Sequence, residues 1–128
     1  MLDHVAEEVF DDDIDRADLA RYLADPAQAL IVAMANDVVV GQIKTILHRH
    51  PEKPPTLFVE ELGVAPTHRR RGLGTALLHA AEAIARARGC TEIWLATEPD
   101  NAAANAVYAA AGWSPQQVTM YSRTLEGD

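Results

Sequence analysis

The sequence predicts an α/β fold in which a mixed β-sheet carries packed helices. Patterns typical of helices and strands follow one another in the order helix, helix, strand, strand, strand, helix, strand, helix, strand. Two strand-length runs within residues 29–47 flank the turn pair Asn36-Asp37, which is typical of a hairpin. Residues 56–64, 72–88 and 91–97 form a strand–helix–strand unit, so its two strands should be parallel with a right-handed crossover.

Two short helices are expected before the hairpin. Residues 2–10 place apolar side chains on one helical face, and residues 15–24 do the same until Asp25-Pro26 ends the helix. Gly41 marks a bulge in the second hairpin strand, because glycine inside a strand often does. A stiff proline-rich loop, residues 50–55, then leads to the third strand.

The strongest helix prediction is residues 72–88. Its apolar stripe recurs at helical spacing and consists of Leu73, Ala76, Leu77, Ala80 and Ile84. A strand over 91–97 with Trp94 in the core, a helix over 101–110 and a last strand over 116–125 complete the chain. About four helices are therefore expected to flank the sheet.

The composition is that of a single domain spanning residues 1–128, since 48% of the residues are apolar. Apolar runs are too short to span a bilayer, and the N-terminus is acidic where a signal peptide would be basic. The chain has one cysteine, Cys90, which excludes an internal disulfide and favours the reducing cytoplasm. Cys90 itself is expected to be a small core residue.

Charge is unevenly distributed in this acidic chain, whose formal net charge is −8. Such a charge argues against nucleic acid as the main partner and suits a cationic ligand. Nine carboxylates lie in the first 25 residues, namely Asp3, Glu7, Glu8, Asp11, Asp12, Asp13, Asp15, Asp18 and Asp25. Arg69, Arg70 and Arg71 stand together where a helix is about to begin, although cations there oppose the helix dipole. The arginine cluster therefore predicts a local anionic ligand.

The junction between the third strand and the long helix has the features of a phosphate-binding turn. Helix N-termini present unpaired N–H groups and a partial positive charge. Gly72 and Gly74 let the backbone approach a phosphate, and the arginines add charged donors. The turn lacks the lysine-serine pair of a P-loop and the third glycine of a dinucleotide fingerprint. By itself it predicts only an anion site.

Two longer motifs make the prediction specific. Residues 62–78 closely resemble motif A of the GCN5-related N-acetyltransferase (GNAT) superfamily. The spaced residues Asn101, Tyr108 and Gly112-Trp113 resemble its motif B. Both motifs have the family's order and spacing, and the resemblance covers nearly the whole chain from about residue 28. It implies the GNAT fold, whose central mixed sheet splays into a V-shaped slot for acetyl-CoA.

Softer motifs resemble the aminoglycoside 3-N-acetyltransferases of the gentamicin and fortimicin type. They lie at residues 50–53, 61–66, 97–104 and 120–121. The chain departs from the family in two respects. The usual first strand before the first helix is missing or very short. In addition, Ala29 stands where close relatives often carry a histidine, so any role of that histidine toward the acceptor amine would be lost.

The resemblance implies direct transfer of acetyl from acetyl-CoA to a primary amine in a ternary complex. The implied cofactor-binding residues are Leu62, Gly63, Val64, Arg69, Arg70, Arg71, Gly72, Leu73, Gly74, Thr75, Asn101 and Tyr108. The pyrophosphate is expected on the N–H groups of residues 69–75. The pantetheine arm is expected to pair with residues 62–64 like an added strand. A backbone N–H near Leu62 would stabilise the oxyanion.

Proton transfer needs a base for the acceptor ammonium and an acid for the departing thiolate. Glu60 and Glu61 are the leading base candidates, and strand alternation places them on opposite faces, so at most one points into a given pocket. Tyr108, at the motif B tyrosine position, is the implied acid. The expected acceptor site consists of Ala29, Glu60, Glu61, Glu98 and Asp100. Its carboxylates, together with those of the acidic segment 7–18, would attract the ammonium groups of an aminoglycoside.

The leading function that the resemblance implies is therefore an aminoglycoside 3-N-acetyltransferase that uses acetyl-CoA and confers antibiotic resistance. An enzyme acting on a polyamine, a peptide or a protein amine would share both motifs and differ only in the acceptor cleft. Ala29 and the missing first strand leave open a non-catalytic acyl-CoA-binding module. Residues 116–125 are the candidate strand for a homodimer. No metal is expected, because no histidine has metal-ligand spacing to Cys or Asp.

Overall fold

The computed structural model describes residues 2–126 as one sheet with helices on it. In chain order the elements are α1 (Arg16–Leu23), β1 (Gln28–Ala35), β2 (Val38–His48), β3 (Thr56–Val64), a 3-10 turn (Pro66–His68), α2 (Leu73–Ala87), β4 (Glu92–Trp94) and α3 (Ala102–Ala110). The strand order is β1-β2-β3-β4. The first two pairings are antiparallel and the β3–β4 pairing is parallel, so the predicted mixed α/β sheet is confirmed.

The β1–β2 hairpin forms as predicted. Asn36 and Asp37 both have positive φ, 50° and 66°, which is what a tight hairpin turn requires. Ala33 pairs with Gly41 but Met34 pairs with Val39, so β2 has one extra residue next to Gly41. The predicted bulge is thereby confirmed.

A second bulge, in β3, does not follow from the sequence pattern. Lys44 pairs with Glu61 and Thr45 pairs with Val59, so Glu60 has no partner across the strand pair. A bulge breaks the alternation of side chains between the two faces of a sheet. It therefore changes where the two neighbouring glutamates point.

The two faces of the sheet are covered differently. Helices α2 and α3 pack on one face, here called the α2 face, over a core of Ile43, Leu47, Leu57, Val59, Leu77, Leu78, Ala81 and Ala85. The opposite face, called the α1 face, carries α1 and residues 2–14, whose Val9 is buried with Val39, Val40 and Ala65. None of the helices in the described part of the chain has the length and hydropathy that a membrane crossing needs.

The predicted helix over residues 2–10 is wrong. The segment consists of turns with one isolated bridge between Val5 and Val39. Its backbone bonds go to β2 instead, since the Ala6 N–H donates to the Val39 carbonyl at 2.9 Å and the Val39 N–H donates to the His4 carbonyl at 2.8 Å. We name residues 4–11 the strap. Its single bridge agrees with the expected missing or very short first strand.

The C-terminal strand predictions need correction too. Regular structure in 91–97 is limited to Glu92–Trp94, and residues 116–126 contain none. A strand needs a partner for its backbone groups, and residues 116–126 have none within the described chain. The exposed apolar side chains there are Val118, Met120, Tyr121 and Leu125. Residues 2–126 form three α-helices rather than about four.

Candidate active site

The sheet opens between β3 and β4. Their parallel pairing covers only Thr56–Phe58 and Glu92–Trp94. Beyond Phe58, residues 59–64 of β3 have no strand on their β4 side within the described chain. This is the predicted V-shaped slot, and it leaves backbone donors and acceptors of β3 available to an extended ligand.

The N-terminus of α2 lies just after the open part of β3. Gly72 occupies the N-cap with φ +79°, and no side chain caps the helix there. A Cβ on Gly72 would meet nothing within 4 Å, and one on Gly74 would meet only Val107 Cγ1 at 3.7 Å. Unpaired N–H groups therefore face an uncrowded surface, which suits an anion.

The three predicted arginines surround this helix start. Arg69 donates from Nε to the Val64 carbonyl at 3.1 Å, which ties the turn to the end of β3. Its guanidinium also lies 3.9 Å from Glu8 of the strap. Arg70, with φ +64°, and Arg71 are exposed and make no ion pair with any of residues 2–126. Two unpaired cations thus stand at a helix end that already favours negative charge.

Glu61 is the most constrained of the predicted site residues. Its Oε1 accepts from Gln42 Nε2 at 2.6 Å and lies 3.4 Å from Lys44 Nζ, while its Oε2 accepts from the Asp11 N–H at 3.2 Å. Its side chain is only 12% exposed. Burial raises the pKa of the Glu61 carboxyl, Asp11 adds to the rise, and Lys44 opposes it.

A cavity of about 300 Å³ opens above Glu61 on the α1 face. Its walls are Phe10, Asp11, Asp12, Asp13, Ile14, Asp15, Asp18, Leu19, Tyr22, Leu30, Lys44 and Glu61. Five aspartates and one glutamate outnumber the single lysine. Negative groups concentrated around one concavity attract cations more strongly than the same charges spread over a surface. An acidic cavity is therefore present, and most of its carboxylates come from residues 11–18.

Glu60 differs from Glu61 in its surroundings. It is the exposed bulge residue, and it makes no hydrogen bond or ion pair with the described residues. Burial, followed by the charge of Glu60, raises the pKa of Tyr22 to about 12. Since Tyr22 lines the same cavity as Glu61, both glutamates act on the α1 face. The expectation that alternation places them on opposite faces is wrong, because the bulge interrupts it, but only Glu61 lines the cavity.

Motif B residues lie on α3. The Asn101 side chain accepts from the Ala104 N–H at 3.2 Å, so it caps the helix. Tyr108 packs against the core beside the slot, and its ring stacks on Trp113 with centroids 6.0 Å apart. Burial raises the pKa of Tyr108, so its hydroxyl keeps its proton at neutral pH.

Four of the five predicted acceptor residues, Ala29, Glu60, Glu98 and Asp100, are not among the walls of the cavity. Ala29 alternates with the cavity-lining Leu30, so its Cβ lies on the α2 face, while its carbonyl accepts from the Tyr22 hydroxyl at 3.0 Å. Glu98 and Asp100 are exposed in the segment before α3, where their carbonyls accept from N–H groups at the helix start. They lie outside the walls of the acidic cavity.

Comparison with known proteins assigns the family. The model of the acetyltransferase (GNAT) family matches residues 2–113. The chain belongs to the GNAT family. This GNAT chain is 33% identical over 111 residues to an aminoglycoside N(6')-acetyltransferase type 1 from Klebsiella aerogenes, covering 84% of the chain and 73% of that relative. It is also 38% identical over 80 residues to an L-2,4-diaminobutyric acid acetyltransferase from Nocardia farcinica, covering 62% of the chain and 40% of that protein.

Solved structures agree with this GNAT assignment. The aminoglycoside acetyltransferase meta-AAC0020 from an uncultured soil sample superposes with a TM-score of 0.84 at 20% identity, over 90% of this chain and 77% of its own. AAC(6')-Iy, solved in complex with CoA, gives a TM-score of 0.75 at 27% identity, over 84% of this chain and 74% of its own. The first likeness concerns the fold alone.

Sequence reasoning missed several residues of this GNAT site. Gln42 and Lys44 hold Glu61, and Tyr22 lines the cavity, but all three come from elements expected only to pack. The acidic run of residues 11–18 gave a signal for the cavity, whereas the lone Gln42 gave none. Among residues 2–126, no group of three or more His, Cys, Asp or Glu could hold a metal.

Proposed function

We propose that this chain transfers acetyl from acetyl-CoA to a primary amine of an aminoglycoside, by direct transfer in a ternary complex. The observation that carries the proposal is the adjacency of two sites. An anion-binding helix start adjoins the open strand edge of the slot, and the acidic cavity lies across the same strand, β3. Donor and acceptor can therefore approach each other at β3.

The residues around the slot fit CoA. The open N-terminus of α2 and its arginines suit the pyrophosphate, which would lie on residues 69–75. The free backbone edge of residues 62–64 suits the pantetheine arm, with Leu62 N–H as the expected oxyanion donor. Asn101 would support this site by fixing the start of α3. Bound acetyl-CoA supplies the acetyl group as a thioester, activated for attack by an amine.

We assign proton removal from the acceptor ammonium to Glu60. Glu61 is already engaged by two side chains and one backbone N–H, which leaves its oxygens less free to accept a substrate proton. Glu60 has exposed, unengaged oxygens on the same face. Glu61 would then bind a second ammonium group and hold the acidic wall in place. Tyr108, which keeps its proton, would supply the proton that the departing thiolate takes up.

The position of the acetylated amine separates two predictions. The motif resemblance predicts the 3-amine, whereas the curated relative from Klebsiella aerogenes is named for the 6' amine. We favour the 6' amine, because that relative covers most of the chain. NMR of the acetylated product distinguishes the two positions directly, since the acetyl group shifts the signals of the neighbouring ring protons.

A small diamine is the second candidate acceptor. The chain shares 38% identity with the L-2,4-diaminobutyric acid acetyltransferase over 80 residues, which include motif A. A diamino acid carries one carboxylate, which the aspartate-lined cavity would repel. The cavity therefore favours a polycation such as an aminoglycoside, or a polyamine, over a diamino acid.

Release of free thiol from acetyl-CoA tests these assignments. Sisomicin, gentamicin, apramycin, spermidine, 2,4-diaminobutyrate and a lysine peptide are supplied as separate acceptors. Turnover with the antibiotics, suppressed by added salt, is expected because screening weakens the cavity's attraction for cations. Turnover confined to the other amines refutes the aminoglycoside assignment. Tight CoA binding without turnover on any acceptor refutes the enzyme and supports an acyl-CoA-binding module.

We further propose that two copies associate through residues 116–125. Their apolar side chains Val118, Met120, Tyr121 and Leu125 are exposed, and exposed apolar patches are typical of interfaces between protein chains. The dimer would work in the cytoplasm, where acetyl-CoA is available. Light scattering should give twice the monomer mass, and removal of residues 116–128 should halve it. A monomeric full-length chain refutes the association.

A further inference from the structure

We propose that Trp94, stacked on Phe58, is a platform for a sugar ring of the acceptor and so determines specificity for amino sugars over linear amines. The platform rests on the proposed function, because it concerns how the same site holds its acceptor. The sequence predicted Trp94 to be a core residue, and its position in the structure overturns that expectation.

Trp94 is unusually accessible for a large aromatic residue. It is 42% exposed, and its ring lies on Phe58 with centroids 4.4 Å apart and planes inclined at 32°. Phe58 and Trp94 are register partners in the parallel pairing, so they point to the same face. Their neighbours Leu57 and Ile93 pack in the core under α2. The two rings therefore form an apolar surface on the α1 face.

This aromatic surface is continuous with the acidic cavity. Phe58 lies on β3 two residues before Glu60 and three residues before Glu61, which lines the cavity. The charge of Glu60 acts on Tyr22, which is part of the cavity wall. This face of the sheet therefore carries, side by side, the rings of Phe58 and Trp94, the unengaged carboxylate of Glu60 and the acidic cavity.

The chemistry of this strip matches an amino sugar. The C–H groups on one face of a sugar ring pack well on an indole, and an ammonium group on that ring is attracted both to the aromatic face and to a nearby carboxylate. Trp94 is the last residue of β4, where the slot opens. A ring stacked there would hold its amine between Glu60 and the slot. A linear polyamine offers charge but no ring face.

Binding measurements on the full chain test the platform. The Trp94→Ala variant should bind sisomicin about 3- to 10-fold more weakly, the factor that loss of an aromatic or cation–π contact implies. Its affinity for spermidine should stay the same. Trp94→Phe should keep most of the sisomicin affinity. The control is Met34→Ala, since Met34 is 44% exposed on β1 and should leave both affinities unchanged.

Tryptophan fluorescence gives an independent readout. Sisomicin should change the emission of the wild type but not of Trp94→Phe, whose remaining indole is Trp113. Equal sisomicin affinity of wild type and Trp94→Ala overturns the platform and leaves the aminoglycoside assignment standing. A wild type that binds no sisomicin overturns both.

Discussion

Gly63 is the residue at which a single methyl group should disturb both the fold and the acceptor side. A Cβ at this position would lie 1.9 Å from the Val9 carbonyl oxygen and 2.9 Å from the Val9 carbonyl carbon. Both are backbone atoms of the strap, so no side-chain rotation relieves the clash. In Gly63→Ala, either the core must absorb the overlap or the strap must move away from β3.

Each response has a cost that can be estimated. Overpacking of this kind costs about 1–3 kcal/mol. Displacing the strap instead removes the Val9 carbonyl from Gln42 Nε2, whose other acceptor is Glu61 Oε1, and leaving one buried N–H unpaired costs about 1–3 kcal/mol. The chain takes the cheaper response rather than both. Gly63→Ala should therefore lower the free energy of unfolding by about 1–3 kcal/mol.

Urea unfolding followed by circular dichroism measures this loss, with Gly74→Ala as the matched control. A Cβ on Gly74 meets only Val107 Cγ1 at an ordinary 3.7 Å, and alanine is preferred over glycine inside a helix. The control should thus gain up to about 1 kcal/mol. A Gly63→Ala protein as stable as the wild type would show that the strap does not lie against β3 in solution.

Three further predictions concern the site. Tyr108→Phe should lower turnover with little effect on CoA affinity, and unchanged turnover removes Tyr108 as the acid. The raised pKa of Glu61 means that its carboxyl stabilises the fold below its unfolded pKa of about 4.3 and loses that contribution as the pH rises through the folded value. In urea titrations, the free energy of unfolding of Glu61→Gln relative to the wild type should therefore increase as the pH rises from about 4. If the free energies of the two proteins run parallel against pH, this prediction is wrong. Replacing both Arg70 and Arg71 by Gln should weaken CoA binding about 10-fold or more in calorimetry, because each replacement removes a charge-assisted contact with the pyrophosphate. Arg88→Gln at the far end of α2 is the control, and equal effects of both changes exclude an arginine-specific phosphate contact.

Local patterns were enough to predict the central elements. The apolar stripe of residues 72–88, the turn at Asn36-Asp37 and the run 56–64 each appear in the structure within a residue or two. They succeed because each carries its own physical signal, whether helical periodicity, a turn that tolerates positive φ, or a strand-length apolar run. Residues 2–10 and 116–125 carry no local signal that is sufficient by itself. Their apolar spacing fitted a helix and a strand, but the available backbone partners decided otherwise.

The sequence by itself determined the donor side of this protein. The arginines, Gly72 and the helix start are neighbours in the chain, so a phosphate-binding turn is readable as a local motif. The proposed acceptor side was decided only by tertiary structure. The strap and the residues that follow it bring residues 11–15 onto β3. The bulge turns both Glu60 and Glu61 toward one face of the sheet, and the β3–β4 register exposes Trp94 on that face. Those contacts join residues far apart in the chain, and no local spacing encodes them.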